Sequence, residues 1–249
     1  MRTALEQHPR RVERVLLARD QRDHRARLVV ALAREAGVPF QQVPRAALDR
    51  LAGELAHQGI AARLAGADLL EQDELIERLP TDAIALALDG VEDPRNVGAI
   101  LRSAAGLGAH GVFLPVHRSA GLSPAAMKTA AGGLDVVPVA RAGNLNRLIE
   151  LLADRGLTPV ALDVRGACAP WDAPLAGPVL LIAGSEEKGV RASVLERCRV
   201  RVAIPTAAAI GSLNVSVAVG IVLAEAMRQR KLAVLTAGSG DPGPVSPDP

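Results

Sequence analysis

The sequence predicts an α/β protein built on a parallel sheet with helices on both faces, preceded by a smaller Arg-rich region. Three observations carry this. From Ile84 to about Leu235, short apolar runs rich in β-formers alternate with helical stretches, the pattern of strands buried on both sides. The 249 residues suffice for one large domain or two modest ones. The composition, 49% apolar and 22% charged, is that of a globular chain with enough apolar surface for a core.

Taken in order, residues 1–65 form the first expected domain. Short apolar runs occur at Val15–Ala18 and Leu28–Ala33, and a helical period runs from Arg45 to Ala56. Residues 1–27 hold eight arginines against four acids, a local excess of +4. Such a surface suits phosphate, although a solvated helix face has the same composition. Residues 66–82 are acidic, end near Pro80 and read as a linker. Residues 83–235 are the second domain. Its expected strands are Ile84–Leu88, Val112–Pro115, Val136–Val139, Pro159–Leu162, Val179–Ala183 and Val200–Ile204. Its expected helices are Val97–Leu107, Leu145–Arg155, Ala192–Arg197 and Val215–Arg230. Residues 236–249, rich in Gly, Pro and Ser, read as a disordered tail.

Composition also excludes classes of function. With 29 basic and 27 acidic side chains the net charge is only +2, so the chain is not polybasic. Only Lys128, Lys188 and Lys231 are lysines. Arginine grips phosphate bidentately, while GC-rich coding produces the same bias. Phe40, Phe113 and Trp171 are the only aromatics, too few for a row of base-stacking platforms. Cys168 and Cys198 form no CxxC pair and the five histidines have no ligand spacing, so no disulfide framework and no metal site are expected. No leader and no 18-residue apolar run is present, which makes the cytoplasm the expected location and a membrane not expected.

Several motif matches dissolve on inspection. Gly106-Leu-Gly108-Ala-His110-Gly111 fits GxGxxG, but it follows a helix and precedes a strand, the reverse of a dinucleotide fold. It reads as a helix C-cap and tight turn. Ser185-Glu-Glu-Lys188 lacks the other elements of an SxxK enzyme, and Asn214-Val-Ser216 is a chance sequon.

Three segments carry more. Leu88 through Arg102 leaves a strand, turns at Asp93-Pro94 and enters a helix near Asn96, where backbone N–H groups attract anions. Gly98 lets a ligand or another backbone come close. Arg102, six residues on, lies roughly 120° around the axis from Asn96. In Val179 through Gly189, a buried strand ends at Gly184 and the Glu186 carboxylate follows at its carboxyl end, where open α/β sheets place ligands. In Val202 through Ala218, a strand stops at Pro205, and a loop of small residues leads to Ser212 and Asn214 before a long apolar helix. Ser212 can serve as that helix's N-cap. Each segment alone is equally compatible with a capped helix or a solvated loop.

Together, in this order and spacing, they resemble the three motifs of the SpoU/TrmH-type RNA ribose 2′-O-methyltransferases of the SPOUT superfamily. Asn96, Gly98 and Arg102 match the first motif, and Gly184, Glu186 and Gly189 the second. Pro205, Ser212, Leu213, Asn214 and the helix ending Arg228-Gln-Arg230 match the third. Asp89-Gly90-Val91, Arg118-Ser119-Ala120 and His57-Gln58-Gly59-Ile60 are most similar to the bacterial 23S rRNA guanosine 2′-O-methyltransferase branch. Two departures stand out: Ala208 replaces a usual glycine, and Arg2-Thr-Ala lacks the branch's Gly-His-Ala-Val-like opening.

The resemblance implies a C-terminal trefoil knot, an exception to the rule against threading, and a small ribosomal-protein-like RNA-binding domain at the N-terminus. It implies a homodimer with the C-terminal helix at its interface. It implies S-adenosylmethionine held by backbone groups near Gly184, Ile204 and Leu213. Arg102 is the residue assigned to the hydroxyl, with Asn96, Glu186, Ser212 and Asn214 shaping the site. Lys128 through Gly133 and Arg118 are candidate RNA contacts. The expected activity is methylation of a ribose 2′-hydroxyl in RNA, with a guanosine of 23S rRNA the leading substrate. The alternatives are a tRNA or antibiotic-resistance rRNA 2′-O-methyltransferase, or a non-catalytic RNA-binding ribosome-assembly protein.

Overall fold

The computed structural model describes residues 5–6, 9, 12–21, 23–53, 57–64, 69–116, 121–207 and 211–238. The chain divides into two compact units, residues 1–68 and 69–249.

In the first unit, β1 (Val12–Ala18) leads through α1 (His24–Glu35) to β2 (Phe40–Val43), then through α2 (Arg45–Ala52) to β3 (Ile60–Leu64). The sheet order is β2-β1-β3, with β1 parallel to β2 and antiparallel to β3. Val12, Val15 and Leu17 of β1 turn inward against Val29 and Ala33 of α1, which gives this unit its own core. Helix α1 starts at Asp23, whose Oδ1 accepts the Ala26 N–H at 2.8 Å. Of the helical period predicted over Arg45–Ala56, the helix covers Arg45–Ala52 and ends at Gly53 with φ +54°, while residues 54–56 lie outside the described residues. Part of the basic surface is neutralised within the unit: Arg45 pairs with Asp20 at 2.9 Å and Arg63 with Glu13 at 3.1 Å.

The second unit runs β4 (Leu70–Glu71), α3 (Gln72–Arg78), β5 (Ile84–Asp89), α4 (Pro94–Gly106), β6 (Gly111–Pro115), α5 (Pro124–Ala130), β7 (Val139–Ala142), α6 (Leu145–Asp154), β8 (Thr158–Leu162), β9 (Val179–Gly184), α7 (Ala192–Leu195), β10 (Val200–Val202) and α8 (Val215–Gly238). The seven strands form one sheet in the order β10-β8-β9-β5-β6-β7-β4, and every paired neighbour is parallel.

The predicted two-sided sheet is borne out, with a core on each face. Ile84, Leu86 and Leu88 of β5 face one side with α4, α5 and α8, while Ala85 and Ala87 face the other with α3 and α6. Every residue of β5 and β9 is buried, which is why both read as unbroken apolar runs. After β7 the chain crosses to β8 and returns through β9 to lie beside β5, so strand order reverses between β5 and β9. Open sheets bind ligands at such a reversal, outside the carboxyl ends of the strands.

Some boundaries move. The stretch 66–82, read as a linker, holds β4 and α3. Leu75 and Ile76 of α3 are buried, while Asp73 and Glu74 occupy its first turn, where acids suit the helix dipole. The acidic surface therefore hid a packed helix. The strand expected at Val136–Val139 starts three residues later, after a short 3-10 turn at Gly133–Asp135 that leaves Val136 exposed. The strand expected to reach Ile204 ends at Val202. Helix α5, capped by Ser123, had no counterpart in the sequence reading. Helix α8 extends past Arg230 to Gly238, and the rest of the expected tail lies outside the described residues. Arg2, Arg118-Ser119-Ala120 and Ala208 also lie outside them.

The GxGxxG segment does cap a helix. Leu107 donates to the Ser103 carbonyl at 2.8 Å, Ala109 to that of Ala104 at 2.8 Å, and Gly108 takes φ +70° before β6 begins.

Candidate active site

The carboxyl ends of β5 and β9 lie side by side, with Asp89 in register with Gly184. From β5 the chain turns at Gly90 (φ +80°) into α4, whose first turn is set by Asp93: its Oδ1 accepts the Arg95 N–H at 2.7 Å and Pro94 opens the helix. Asn96 is thereby held in the first turn, only 8% exposed, as one of two buried polar residues among those described.

From β9 the chain enters a tight loop. Ser185 and Gly189 exchange backbone hydrogen bonds at 3.2 and 2.8 Å, and Gly189 adopts φ +65°. A Cβ on Gly184 would lie 2.0 Å from the Gly189 carbonyl carbon and 2.1 Å from the Val190 nitrogen, so no side chain fits there. This turn carries Glu186 to Asn96, and the Asn96 Nδ2 donates to Glu186 Oε1.

The third segment completes the cluster. Asn214 Nδ2 donates to Asn96 Oδ1 at 3.0 Å, while Asn214 Oδ1 accepts from the Ser216 N–H at 2.9 Å and the Ser216 hydroxyl at 2.6 Å. Asn214, not Ser212, is therefore the N-cap of α8. Ser212 is exposed at the cavity mouth. Asn214, Asn96 and Glu186 form one directed chain of hydrogen bonds, and such chains polarise and rigidify their members.

Arg102 stands apart. It is exposed, makes no hydrogen bond or ion pair among the described residues, and is not a lining residue of the cavities beside the cluster. The 120° offset along α4 is realised, with Asn96 inward and Arg102 outward. Gly98 serves backbone packing rather than a ligand: a Cβ there would lie 2.4 Å from the Ala126 carbonyl oxygen of α5. Gly133 does the same against Leu101 and Arg102, where a Cβ would lie 2.9 Å from the Leu101 oxygen.

A cavity of about 490 Å³ opens beside the cluster, a size suited to a small ligand. Gly184, Ile204, Ser212, Leu213 and Glu186 all line it. Its apolar wall includes Leu162, Val202, Ile204, Leu213 and Val215, and residues of the segments that follow β8, β9 and β10 line the rest. These features fit a nucleoside cofactor: an apolar slot for a base, with close backbone at Gly184. A second cavity of about 870 Å³ shares Glu186 and is bordered by Asp89, Gly90, Glu92 and Arg191.

Two acids have a place at the site that the sequence does not assign to them. Asp89, 3% exposed, accepts the Arg191 backbone N–H at 2.9 Å and its Nε at 2.6 Å, tying the end of β5 to the chain just past the Glu186 turn. Asp163 lines the cavity at the end of β8. Both acids directly end strands, a signal visible in the sequence at those positions. Of Arg228-Gln229-Arg230, placed in the third motif, Gln229 and Arg230 brace the fold, while Arg228 pairs with Glu225 on the same helix. Gln229 exchanges hydrogen bonds with the backbone of Pro170, Ala173 and Leu175, and Arg230 donates to the Gly177 carbonyl at 2.7 Å. Burial lowers the Arg230 pKa from its ordinary value, with Asp82 opposing. Lys128 lies in the last turn of α5. His57 bonds Asp49 at 2.8 Å and accepts the Gly59 N–H, fixing the approach to β3.

Among the described residues, no group of three or more His, Cys, Asp or Glu could hold a metal ion, and no helix is long and apolar enough to cross a membrane.

Comparison with known proteins identifies a family. Residues 83–224 match the SpoU rRNA Methylase family, and residues 2–69 match the RNA 2'-O ribose methyltransferase substrate binding domain. A protein of Mycobacterium sp. strain KMS, named as an uncharacterized tRNA/rRNA methyltransferase, is 42% identical over 212 residues, covering 84% of this chain and 68% of that protein. A solved RNA 2'-O ribose methyltransferase is 27% identical with a TM-score of 0.75, over 92% of this chain and 86% of that one. The SpoU methyltransferase AviRb of Streptomyces viridochromogenes, solved with AdoMet, is 24% identical with a TM-score of 0.76, over 93% and 88% of the two chains. At that identity the likeness to AviRb is one of fold.

Proposed function

The chain belongs to the SpoU rRNA methylase family, and from that premise we propose that it methylates a ribose 2′-hydroxyl of RNA using S-adenosylmethionine, with a guanosine of 23S rRNA as the substrate. The observation that carries this reading is the hydrogen-bonded chain Asn214–Asn96–Glu186, drawn from all three motifs, with Glu186 lining the adjacent cavity. The cofactor is assigned to that cavity, and the solved relative holding AdoMet supports the assignment.

When bound, S-adenosylmethionine supplies a methyl group already activated on a sulfonium, so the protein's task is alignment and charge management. Gly184, Ile204 and Leu213 hold the cofactor through backbone groups. Asn96, fixed at both ends of its amide, orients the reacting groups, and Ser212 and Asn214 shape the slot. The larger cavity beyond Glu186 receives the ribose. The Arg102 guanidinium offers hydrogen-bond donors and no acceptor, so its role is to orient RNA phosphate and stabilise negative charge at the attacking oxygen. Its exposed, unbonded state leaves the guanidinium free to do so. The Arg-rich first unit holds the RNA electrostatically.

The wider expectations follow from the same reading. The meeting of the segments after β8, β9 and β10 around one cavity supports the trefoil knot. Val217, Ile221, Leu232 and Leu235 leave apolar side chains exposed along α8, which supports a homodimer built on that helix. The proposed location is the cytoplasm, where the RNA is.

Methyl transfer from labelled S-adenosylmethionine to protein-free 23S rRNA and, separately, to bulk tRNA tests the proposal. Ribose-mapped label in 23S rRNA that disappears with Arg102→Ala is the expected result. Label in tRNA alone overturns the substrate and keeps the chemistry, an outcome the tRNA/rRNA naming of the mycobacterial relative makes worth testing. A fully active Arg102→Lys variant overturns the role given to Arg102.

A further inference from the structure

Asp163 lines the cavity, and none of the three motifs uses its carboxylate. Its side chain is 9% exposed, and its Oδ2 is buried with no hydrogen-bond partner among the described residues. Leaving a buried carboxylate oxygen without a donor is costly, and native proteins do so where a ligand or another partner completes the shell.

The position is firmly built. Strand β8 ends at Leu162, and the Asp163 N–H then donates to the Val202 carbonyl of β10 at 3.0 Å. The Gly166 N–H closes a turn onto the Asp163 carbonyl at 2.8 Å. At Gly166 a Cβ would lie 2.5 Å from the Arg201 oxygen, so the turn is pressed against β10. The other carboxylate oxygen, Oδ1, accepts the Arg165 N–H at 3.0 Å and sits 3.4 Å from the Arg165 Nε.

This arrangement selects the kind of donor that fits. Arg165 already compensates the carboxylate charge, so a second cation gains little there. A neutral O–H completes the shell without adding charge. The neighbouring wall, Leu162, Val202 and Ile204, suits a base, and the hydroxyls of a sugar attached to it would be within reach of Asp163. The sheet order β8-β9-β5 sets Asp163 two strands from Asp89, roughly 10 Å at the usual strand spacing. The Asp163 carboxylate bonds Arg165 and no member of the Asn96 cluster, which leaves it a binding role. The Asp163 Cβ–Cγ bond is soft, so a small rotation of the carboxylate would present an oxygen to the cavity that this residue lines.

We propose that Asp163 is a cofactor-binding residue, accepting a hydrogen bond from a ribose hydroxyl of the adenosine moiety. The inference rests on the assignment of the 490 Å³ cavity to S-adenosylmethionine.

Calorimetric titration of the full chain with S-adenosylhomocysteine and with 5′-methylthioadenosine, which lacks the amino-acid moiety, tests it without turnover. Asp163→Asn keeps the shape, Asp163→Ala removes the acceptor, and thermal melting checks that both fold. The expected result is a loss of affinity of about 10-fold or more for both ligands. A 2′,3′-dideoxy analogue should bind the wild type and Asp163→Asn equally. Loss with S-adenosylhomocysteine alone places the carboxylate at the ammonium group and overturns the proposal. Unchanged affinity for both ligands also overturns it. The cavity assignment has its own control, Leu213→Trp, which fills the slot. If that variant still binds as wild type does, or if the wild type binds neither ligand, the assignment falls and this inference with it.

Discussion

Asn214 Nδ2 lies 3.0 Å from Asn96 Oδ1 across 118 residues of sequence, and each amide is engaged at its other end, Asn96 by Glu186 and Asn214 by Ser216. A carboxamide bonded at both oxygen and nitrogen has a fixed orientation, which an isolated asparagine on a helix lacks. The buried Asn96 is therefore the pivot of the site, and the first prediction concerns it. Asn96→Ala, Glu186→Ala and Asn214→Ala should each lower kcat by about 100-fold or more while KM for RNA changes little. The double variants should lose less than the product of the single losses, because members of one network are not additive. Strictly multiplicative losses in single-turnover assays count against a shared network.

Gly98→Ala should destabilise the larger unit. Alanine improves helix propensity by roughly 1 kcal/mol, but the new Cβ meets a backbone oxygen of α5 at 2.4 Å and the Thr129 Cβ at 2.6 Å. A helix backbone cannot move aside as a side-chain tip can, so overpacking wins, at about 1–3 kcal/mol. Urea unfolding followed by circular dichroism measures it, and a higher midpoint contradicts the packing argument.

The Asp89–Arg191 pair yields an ordered series. Asp89→Ala removes both the acceptor for the Arg191 N–H and the partner of its guanidinium, and should cost most, about 2–3 kcal/mol. Arg191→Ala leaves the buried carboxylate one backbone donor and, since Arg191 is half exposed, should cost less. Asp89→Asn, which keeps an acceptor, should cost least. Chemical denaturation of the three variants under one buffer condition checks the ranking.

Alkaline stability should depend on Cys198. Burial raises its pKa from an ordinary 9.0 to about 11, with nearby Arg201 opposing and Asp89 reinforcing, and its Sγ donates to the Val194 carbonyl at 3.2 Å. In the unfolded chain the thiol ionises near 9.0 while the folded thiol still holds its proton. Between pH 9 and about 11 the folded state therefore binds more protons, and stability falls as pH rises. Below 9 the contribution is fully present. Thermal midpoints from pH 7 to 11 should fall less steeply for Cys198→Ser than for the wild type. The folded thiol should also resist alkylation at pH 8.

Much of this was legible in the sequence because it depends on local pattern. Strands β5 and β9 are unbroken apolar runs, and Asn96, Gly184 and Asn214 each sit where a strand gives way to a loop or helix. The helix at 72–78 was misread because its acids dominate the composition of that stretch, while Leu75 and Ile76 are too few to signal a buried face by themselves. Helix α5 was missed because its residues are mostly small, and its reason for packing is the bare backbone of Gly98 on another helix.

The sequence by itself determined the alternation of strands and helices, the three motif segments and the identity of the residues in them. These follow from periodicity and turn chemistry, which act over a few residues. Tertiary structure alone decided that Asn96 bonds Glu186 and Asn214 while Arg102 faces outward, that Asn214 rather than Ser212 caps α8, and that Asp163 keeps an unpartnered oxygen in the cavity wall. The physical reason is that hydrogen bonds and close backbone contacts depend on distances of a few ångströms between segments about 100 residues apart. Only the strand order, which brings β9 back beside β5, sets those distances.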